Sequence, residues 1–130
     1  MTPAGPIVVI DDEDELREEI ASYLHRRGYD VIQCGSAAEA RRTLNTLTAN
    51  GPMPVAVLCD ETLSDGDGVA IFIDHAPQMA ASRWFLMSGD HDSARLAADA
   101  TGKGPLPPHT VLEKPFTLRS LVAMLACDRD

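Results

Sequence analysis

Polar side chains follow four apolar runs of this sequence at the point where each run ends. Asp11 and Asp12 follow the run IVVI, and Asp60 follows VAVLC. Ser88 follows WFLM, and Lys114 follows TVLE. The carboxyl ends of parallel strands lie side by side, and open α/β sheets bind ligands in the crevice outside those ends. If the runs are parallel strands of one sheet, the sequence predicts one pocket with three carboxylates, a hydroxyl and a lysine.

Such a pocket favours a divalent cation and a phosphoryl group. Two like charges about 4 Å apart cost about 4 kcal/mol at an effective dielectric constant of 20, and a cation removes that conflict. Oxygen ligands without a nearby histidine or cysteine select Mg²⁺, or alternatively Mn²⁺, over zinc. Lys114 supplies a positive charge and Ser88 a hydroxyl donor, which together match the oxygens of a phosphoryl group. An aspartate can accept that group covalently, and Asp60 is the acid best placed to do so.

The elements that position these side chains alternate along the chain. Strand signals and helix signals follow one another, which indicates βα units around a parallel sheet. The run that ends at Cys59 is almost unbroken, as expected for a central strand covered by helices on both faces. The five predicted strands are about Ile7–Ile10, Val31–Cys34, Val55–Cys59, Trp84–Met87 and Thr110–Glu113.

Five helices are predicted from apolar periodicity and from residues that typically begin or end helices. The first ends before Gly28, the second opens with a capping box at Ser36–Glu39, and the third begins at Gly68. The fourth is predicted over about Ser93–Ala100, and the fifth follows an N-cap at Thr117. Right-handed crossovers and short connections make a doubly wound α/β sheet the simplest arrangement of these units.

The polar stretch Glu61–Asp67 after the third strand is predicted as a turn. Its sequence DGDG at 65–68 resembles part of a calcium-binding loop. The remaining ligands of an EF-hand and its closing glutamate are missing, so we interpret this stretch as a solvated turn.

Length and composition indicate one domain. A chain of 130 residues with 45% apolar residues can form a single core. We therefore predict one domain over residues 1–130, with a structured core at about 6–127. Cys34, Cys59 and Cys127 are odd in number and far apart in the sequence, which indicates neither a disulfide framework nor a zinc site.

The charge and hydropathy of the chain exclude several classes of partner. The formal net charge is −9, and Lys and Arg form no stripe, so we expect no direct binding to nucleic acid. No apolar stretch reaches the length of a signal sequence or of a membrane span. We therefore expect a cytoplasmic protein that does not associate with membranes.

Four motifs together resemble the receiver domain of two-component response regulators. They are VVIDDE at 8–13, VLCDETLSDGDG at 57–68, FLMSG at 85–89 and LEKPF at 112–116. Their order and spacing are those of the family, and the resemblance covers essentially the whole chain. It implies a flavodoxin-like, five-stranded parallel sheet of order 2-1-3-4-5, as in the chemotaxis member of the family.

The resemblance also implies a role for each acid. Asp60 would accept a phosphoryl group from a histidine kinase or a histidine phosphotransfer protein and would switch the conformation for signal transduction. Asp12 and Asp60 would bind Mg²⁺ directly, together with the backbone carbonyl of Thr62. Asp11 would act on the metal mainly through bound water.

Further residues match or depart from the pattern of the family. Lys114 would pair with the phosphoryl oxygens, Ser88 would move to donate a hydrogen bond to them, and the Lys114–Pro115 bond would be cis. Ser64 stands where many members have proline, which would make the loop after Asp60 less rigid. Val111 stands where many members have an aromatic residue that rotates on phosphorylation.

Three other functions are compatible with parts of this pattern. A receiver that serves as an adaptor without being phosphorylated would keep the fold. A magnesium-dependent aspartyl-phosphate phosphatase would share the nucleophile, but it normally has a second aspartate where this chain has Thr62. A flavodoxin-like flavin binder would need a hydroxyl-rich phosphate loop in place of DDEDE at 11–15. We expect a receiver whose only catalysis is its own phosphotransfer and dephosphorylation.

Overall fold

The computed structural model describes residues 5–89 and 108–126 of the chain. Its main sheet consists of β1 (Ile7–Ile10), β2 (Val31–Cys34), β3 (Ala56–Asp60), β4 (Arg83–Ser88) and β5 (Thr110–Glu113). The order in the sheet is β2-β1-β3-β4-β5, and every neighbouring pair is parallel. This arrangement confirms the predicted fold class and strand order.

Four α-helices lie among the described residues. They are α1 (Asp14–Arg26), α2 (Ala37–Ala49), α3 (Gly68–His75) and α4 (Leu118–Ala126), and a 3₁₀ turn at Ala76–Gln78 extends α3. The predicted helix at Ser93–Ala100 lies outside the described residues, as do Cys127 and most of the loop at 101–109. None of the helices in the described ranges is long and apolar enough to cross a membrane.

Each face of the sheet is covered by its own apolar core, because successive strand residues point to opposite faces. All four residues of β1 are fully buried, as expected for a strand between two layers of helices. One core contains Val8, Ile10, Leu44, Ile71 and Phe72, and the other contains Ile7, Val9, Ile20, Leu24 and Leu121. The first core joins the sheet to α2 and α3, and the second joins it to α1 and α4.

Two strands extend further than the sequence indicated. β3 ends at Asp60 and β4 ends at Ser88, so both residues belong to the sheet rather than to the loops beyond it. The pairing continues one residue further, because Glu61 N donates to the carbonyl of Met87 at 3.0 Å. The acid of β3 and the hydroxyl of β4 are therefore held by strand backbone.

The predicted turn after β3 is an antiparallel hairpin in which Thr62–Leu63 pairs with Gly66–Asp67. The side chain of Asp67 is the N-cap of α3, since its Oδ1 accepts from Val69 N at 2.9 Å. This hairpin connects the end of β3 directly to the start of α3.

Asp65, at the tip of the hairpin, binds the start of α2. Its Oδ1 accepts from Ala37 N at 2.7 Å and its Oδ2 accepts from Ala38 N at 3.2 Å. These backbone N–H groups lower the pKa of Asp65. The interpretation of this stretch as merely solvated was incomplete, because both of its aspartates cap helices.

Candidate functional site

Three carboxylates meet at the carboxyl ends of β1 and β3. Asp11 and Asp12 follow β1 directly, Asp60 is the last residue of β3, and the two strands are neighbours in the sheet. One carboxylate oxygen from each residue lies within 4.8 Å of the other two. This spacing and this donor chemistry suit a divalent cation that prefers oxygen ligands.

Asp11 is fully buried at the base of this cluster. Its Oδ1 accepts from Glu13 N at 2.9 Å, and its Oδ2 lies 3.4 Å from Lys114 Nζ. Burial raises the pKa of Asp11, and the charge of Asp60 acts in the same direction, while the Glu13 N–H and Lys114 oppose the shift. The ionised form is therefore disfavoured here, and a bound cation would favour it.

Asp12 is partly exposed and is bound by the loop after β3. Ser64 N donates to Asp12 Oδ2 at 2.7 Å, and the Ser64 hydroxyl donates to the same oxygen. Proline at this position would lack both donors. The expected loosening of the loop is therefore offset here, because Ser64 links the loop to the end of β1.

Lys114 joins the acid cluster from the end of β5. Its Nζ lies 3.0 Å from Asp60 Oδ2 and 3.4 Å from both Asp11 Oδ2 and Glu13 Oε1. Burial by itself would lower the pKa of Lys114, but the hydrogen bond to Asp60 and the charges of Asp60 and Asp11 outweigh it and raise the pKa. The Lys114–Pro115 bond is cis, as the resemblance implied.

Asp60 is 8% exposed and has a partner at each carboxylate oxygen. Oδ1 accepts from Thr62 N at 3.1 Å, and Oδ2 accepts from Lys114 Nζ. These contacts place the backbone of Thr62 beside the acids. The role of the Thr62 carbonyl oxygen as a metal ligand stays a prediction.

Ser88 lies next to this cluster but contacts a residue that the sequence analysis did not single out. Its Oγ donates to Glu61 Oε1 at 2.8 Å, and both residues are buried. Its carbonyl accepts from Lys114 N at 2.7 Å, which links the ends of β4 and β5. The contact follows from the register of β3 and β4, because Asp60 pairs with Met87 and the next residues along both strands are Glu61 and Ser88.

The structure thus brings the predicted site residues to one edge of the sheet. The three acids and Lys114 form one charged cluster, and Ser88 is adjacent to it through Glu61. A nucleophilic carboxylate beside a fixed ammonium group and a site for a divalent cation can accept a phosphoryl group.

Comparisons with known proteins show which proteins resemble this chain in sequence and fold. No family model matches the chain. The chain is 34% identical over 65 residues to the transcriptional regulatory protein AruR of Pseudomonas aeruginosa, a match that covers 50% of this chain. The match spans only 27% of AruR.

Crystal structures of receiver domains match almost the whole chain. A response regulator receiver protein from Sinorhizobium medicae superposes with a TM-score of 0.76 at 26% identity, covering 95% of this chain and 92% of that one. A receiver domain protein from Clostridium thermocellum gives a TM-score of 0.74 at 24% identity, covering 93% and 90% of the two chains.

A third structure shows what this fold can hold. A response regulator from Burkholderia pseudomallei, crystallised with a phosphorylated aspartic acid and a calcium ion, has a TM-score of 0.74 at 21% identity. The alignment covers 93% of this chain and 66% of that one, and at this identity it supports the fold alone. The four motifs, the strand order and these matches agree with one another. The chain therefore has the fold of the receiver domains of response regulators.

Proposed function

We propose that this receiver is a phosphoacceptor that takes a phosphoryl group onto Asp60 with the aid of Mg²⁺ and changes conformation to transmit a signal. The observation that carries this proposal is the cluster at the sheet edge. Asp60 Oδ2 lies 3.0 Å from Lys114 Nζ, and a carboxylate oxygen of Asp60 lies within 4.8 Å of oxygens of Asp11 and Asp12.

The transfer requires one bond to form and one to break. A carboxylate oxygen of Asp60 forms a bond to phosphorus, and the bond from phosphorus to the donor nitrogen of a phosphohistidine breaks, leaving its electron pair on the imidazole. Lys114 already binds the acceptor carboxylate, so its ammonium group is in place to pair with the phosphoryl oxygens. Ser88 would donate a further hydrogen bond to them.

The acids fit a hard cation, because all three supply oxygen atoms and because burial raises the pKa of Asp11, a shift that a nearby cation would oppose. We infer that Asp12, Asp60 and the Thr62 carbonyl bind Mg²⁺ directly and that Asp11 acts through a bound water. When bound, the cation supplies positive charge that offsets repulsion between the carboxylates and the phosphoryl oxygens. Mn²⁺ has similar ligand preferences and would substitute for it.

The proposed partners are a histidine kinase or a histidine phosphotransfer protein upstream and a protein target downstream, in the cytoplasm. The domain would not bind nucleic acid directly, and its only catalysis would be its own phosphotransfer and dephosphorylation. AruR is named as a transcriptional regulator, and the 65 residues that match this chain make up 27% of its length. The motifs LMSG and LEKPF are common in hybrid kinases and phosphorelays, so we include the role of an intermediate carrier in the proposal.

The first test uses acetyl phosphate as the donor. The protein is incubated with Mg²⁺ and acetyl phosphate beside an Asp60→Asn variant, and intact-mass spectrometry counts the phosphoryl groups. We expect one phosphoryl increment on the native protein and none on the variant, because the amide of asparagine is not a comparable nucleophile. An increment on both proteins would show that another residue is the acceptor.

Failure of both proteins to gain mass would favour an adaptor that works without phosphorylation. Beryllofluoride, which mimics a bound phosphoryl group without being hydrolysed, separates this outcome from rapid dephosphorylation. Binding of beryllofluoride to the native protein in the presence of Mg²⁺, but not to Asp60→Asn, would keep the proposal. Absence of binding to either protein would overturn it.

A further inference from the structure

A buried glutamate follows the proposed phosphoacceptor directly and has no part in the phosphotransfer described above. Glu61 is 8% exposed, and its Oε1 accepts the hydroxyl of Ser88 at 2.8 Å. Burial of a carboxylate is unfavourable unless it is paired or accepts hydrogen bonds. The contact with Ser88 is thus part of what allows Glu61 to lie inside the protein.

The backbone of Glu61 is fixed on two sides. Its N–H donates to the carbonyl of Met87 at 3.0 Å, and its carbonyl accepts from Gly68 N at 2.8 Å. The first bond continues the pairing of β3 with β4, and the second connects β3 to the start of α3. Any change in the Glu61–Ser88 contact therefore involves the two side chains rather than the backbone of Glu61.

Ser88 is fixed in a similar way. It ends β4, and its carbonyl accepts from Lys114 N at 2.7 Å. A serine hydroxyl has a single hydrogen to donate, so it cannot form full hydrogen bonds to two acceptors at once. Donation to Glu61 thus competes with donation to a phosphoryl group on Asp60.

We propose that Glu61 is the resting-state acceptor of the Ser88 hydroxyl and that phosphorylation of Asp60 transfers this hydrogen bond from the Glu61 carboxylate to the phosphoryl group. This inference rests on the proposed function, because it needs a phosphoryl group on Asp60. Glu61 is then a positioning residue. It holds the Ser88 hydroxyl in the position found before phosphorylation. It thereby raises the free energy that is required to move this hydroxyl to the phosphoryl group.

The charges act in the same direction as this exchange. A phosphoryl group adds negative charge to the residue immediately before Glu61, and like charges in a partly buried site repel one another. Glu61 therefore loses its hydrogen-bond donor and gains a repulsive neighbour in a single step. The exchange couples the phosphorylation state of Asp60 to the position of a buried side chain between β3 and β4.

The test compares two substitutions of Glu61. Glu61→Leu removes the acceptor, whereas Glu61→Gln keeps an acceptor oxygen but removes the charge. The dissociation constant for beryllofluoride is measured at saturating Mg²⁺ by amide NMR, which also shows that each variant is folded. We expect Glu61→Leu to bind about tenfold more tightly than the native protein, because Ser88 no longer has to leave a charged acceptor. Glu61→Gln should fall between them.

Ser88→Ala is the control, because a structural or purely electrostatic role of Glu61 would not depend on the Ser88 hydroxyl. In the Ser88→Ala background, Glu61→Leu should give no tightening, since there is no hydroxyl to release. Equal tightening by both Glu61 variants that persists in this background would overturn the inference in favour of simple charge repulsion. Unchanged or weaker binding by Glu61→Leu would overturn it as well.

Two further measurements separate this inference from the proposed function. Glu19→Leu removes an exposed acid of α1 that contacts none of the site residues described above, and it should leave the dissociation constant unchanged. If the native protein binds beryllofluoride but the Glu61 variants behave against expectation, only the role of Glu61 fails. If the native protein neither binds beryllofluoride nor accepts phosphate, both proposals fail.

Discussion

Ser64 binds a carboxylate oxygen of Asp12, one of the acids that we propose as ligands of the cation. Its N–H and its hydroxyl both donate to Asp12 Oδ2. Hydrogen bonds to a charged group are stronger than those between neutral groups, so they compete effectively with a metal for the same lone pairs. The substitution of serine for proline at this position therefore bears on metal affinity as well as on the loop.

We predict that Ser64→Ala increases the affinity for Mg²⁺ about threefold to tenfold, because it removes one of the two donors to Asp12. Isothermal titration calorimetry measures the affinity directly. Ser120→Ala in α4 is the matched control, since the Ser120 hydroxyl donates to the carbonyl of Thr117, directly before the helix, and its removal should leave the affinity unchanged. Equal Mg²⁺ affinities of the native protein and Ser64→Ala would show that the hydrogen bond from the Ser64 hydroxyl to Asp12 does not weaken metal binding.

The approach of α3 to β3 depends on the absence of a side chain at Gly68. A Cβ atom built there would lie 1.8 Å from the carbonyl oxygen of Asp60 and 3.0 Å from the Cα of Glu61. Both neighbours belong to the backbone, which cannot rotate away as a flexible side chain can. The glycine thus allows the helix to start directly against the proposed acceptor.

We expect Gly68→Ala to lower the free energy of unfolding by about 1–3 kcal/mol, as overpacking of a filled site does. The same shift would displace Asp60 and slow phosphorylation by acetyl phosphate. Urea unfolding and intact-mass spectrometry measure the two effects. Gly89→Ala is the control for stability, because a Cβ there meets no atom of the described residues within 4 Å. Unchanged stability in Gly68→Ala would contradict the close approach of α3.

Most of the sheet could be predicted from the sequence, because its strands are apolar runs with a clear boundary at each polar end. Ile7–Ile10, Val31–Cys34 and Thr110–Glu113 were predicted with their observed bounds. The strands that end at Asp60 and Ser88 were predicted to end one residue too early, since a charged or hydroxyl residue is typical of the start of a loop. Backbone pairing does not depend on the polarity of the side chain.

The contacts made by polar side chains across the site could not be predicted in the same way. The pairing of Glu61 with Ser88 depends on the register of β3 against β4, and a slip of one residue would turn Glu61 to the other face. The contacts of Ser64 with Asp12 and of Asp65 with α2 depend on how the hairpin after β3 folds back. Neither arrangement leaves a periodic pattern in the sequence.

The acidic site also affects the stability of the folded protein. The chain has a formal net charge of −9, and three of its acids share one edge of the sheet. Asp11 is fully buried, and this burial raises its pKa. The raised pKa means that ionised Asp11 is less favourable in the folded chain than in the unfolded one.

We therefore predict that Asp11→Asn raises the free energy of unfolding at neutral pH when divalent cations are removed, because no charge is then buried at this position. Urea unfolding in the presence of a chelator measures this difference. In Mg²⁺ at about 100 times its dissociation constant, the native protein should gain about 2.7 kcal/mol, and Asp11→Asn should gain less because its site binds the cation more weakly. Equal gains in the two proteins would contradict a role for Asp11 in cation binding. Lower stability of Asp11→Asn in the chelator would show instead that the ion pair with Lys114 outweighs the burial of the charge.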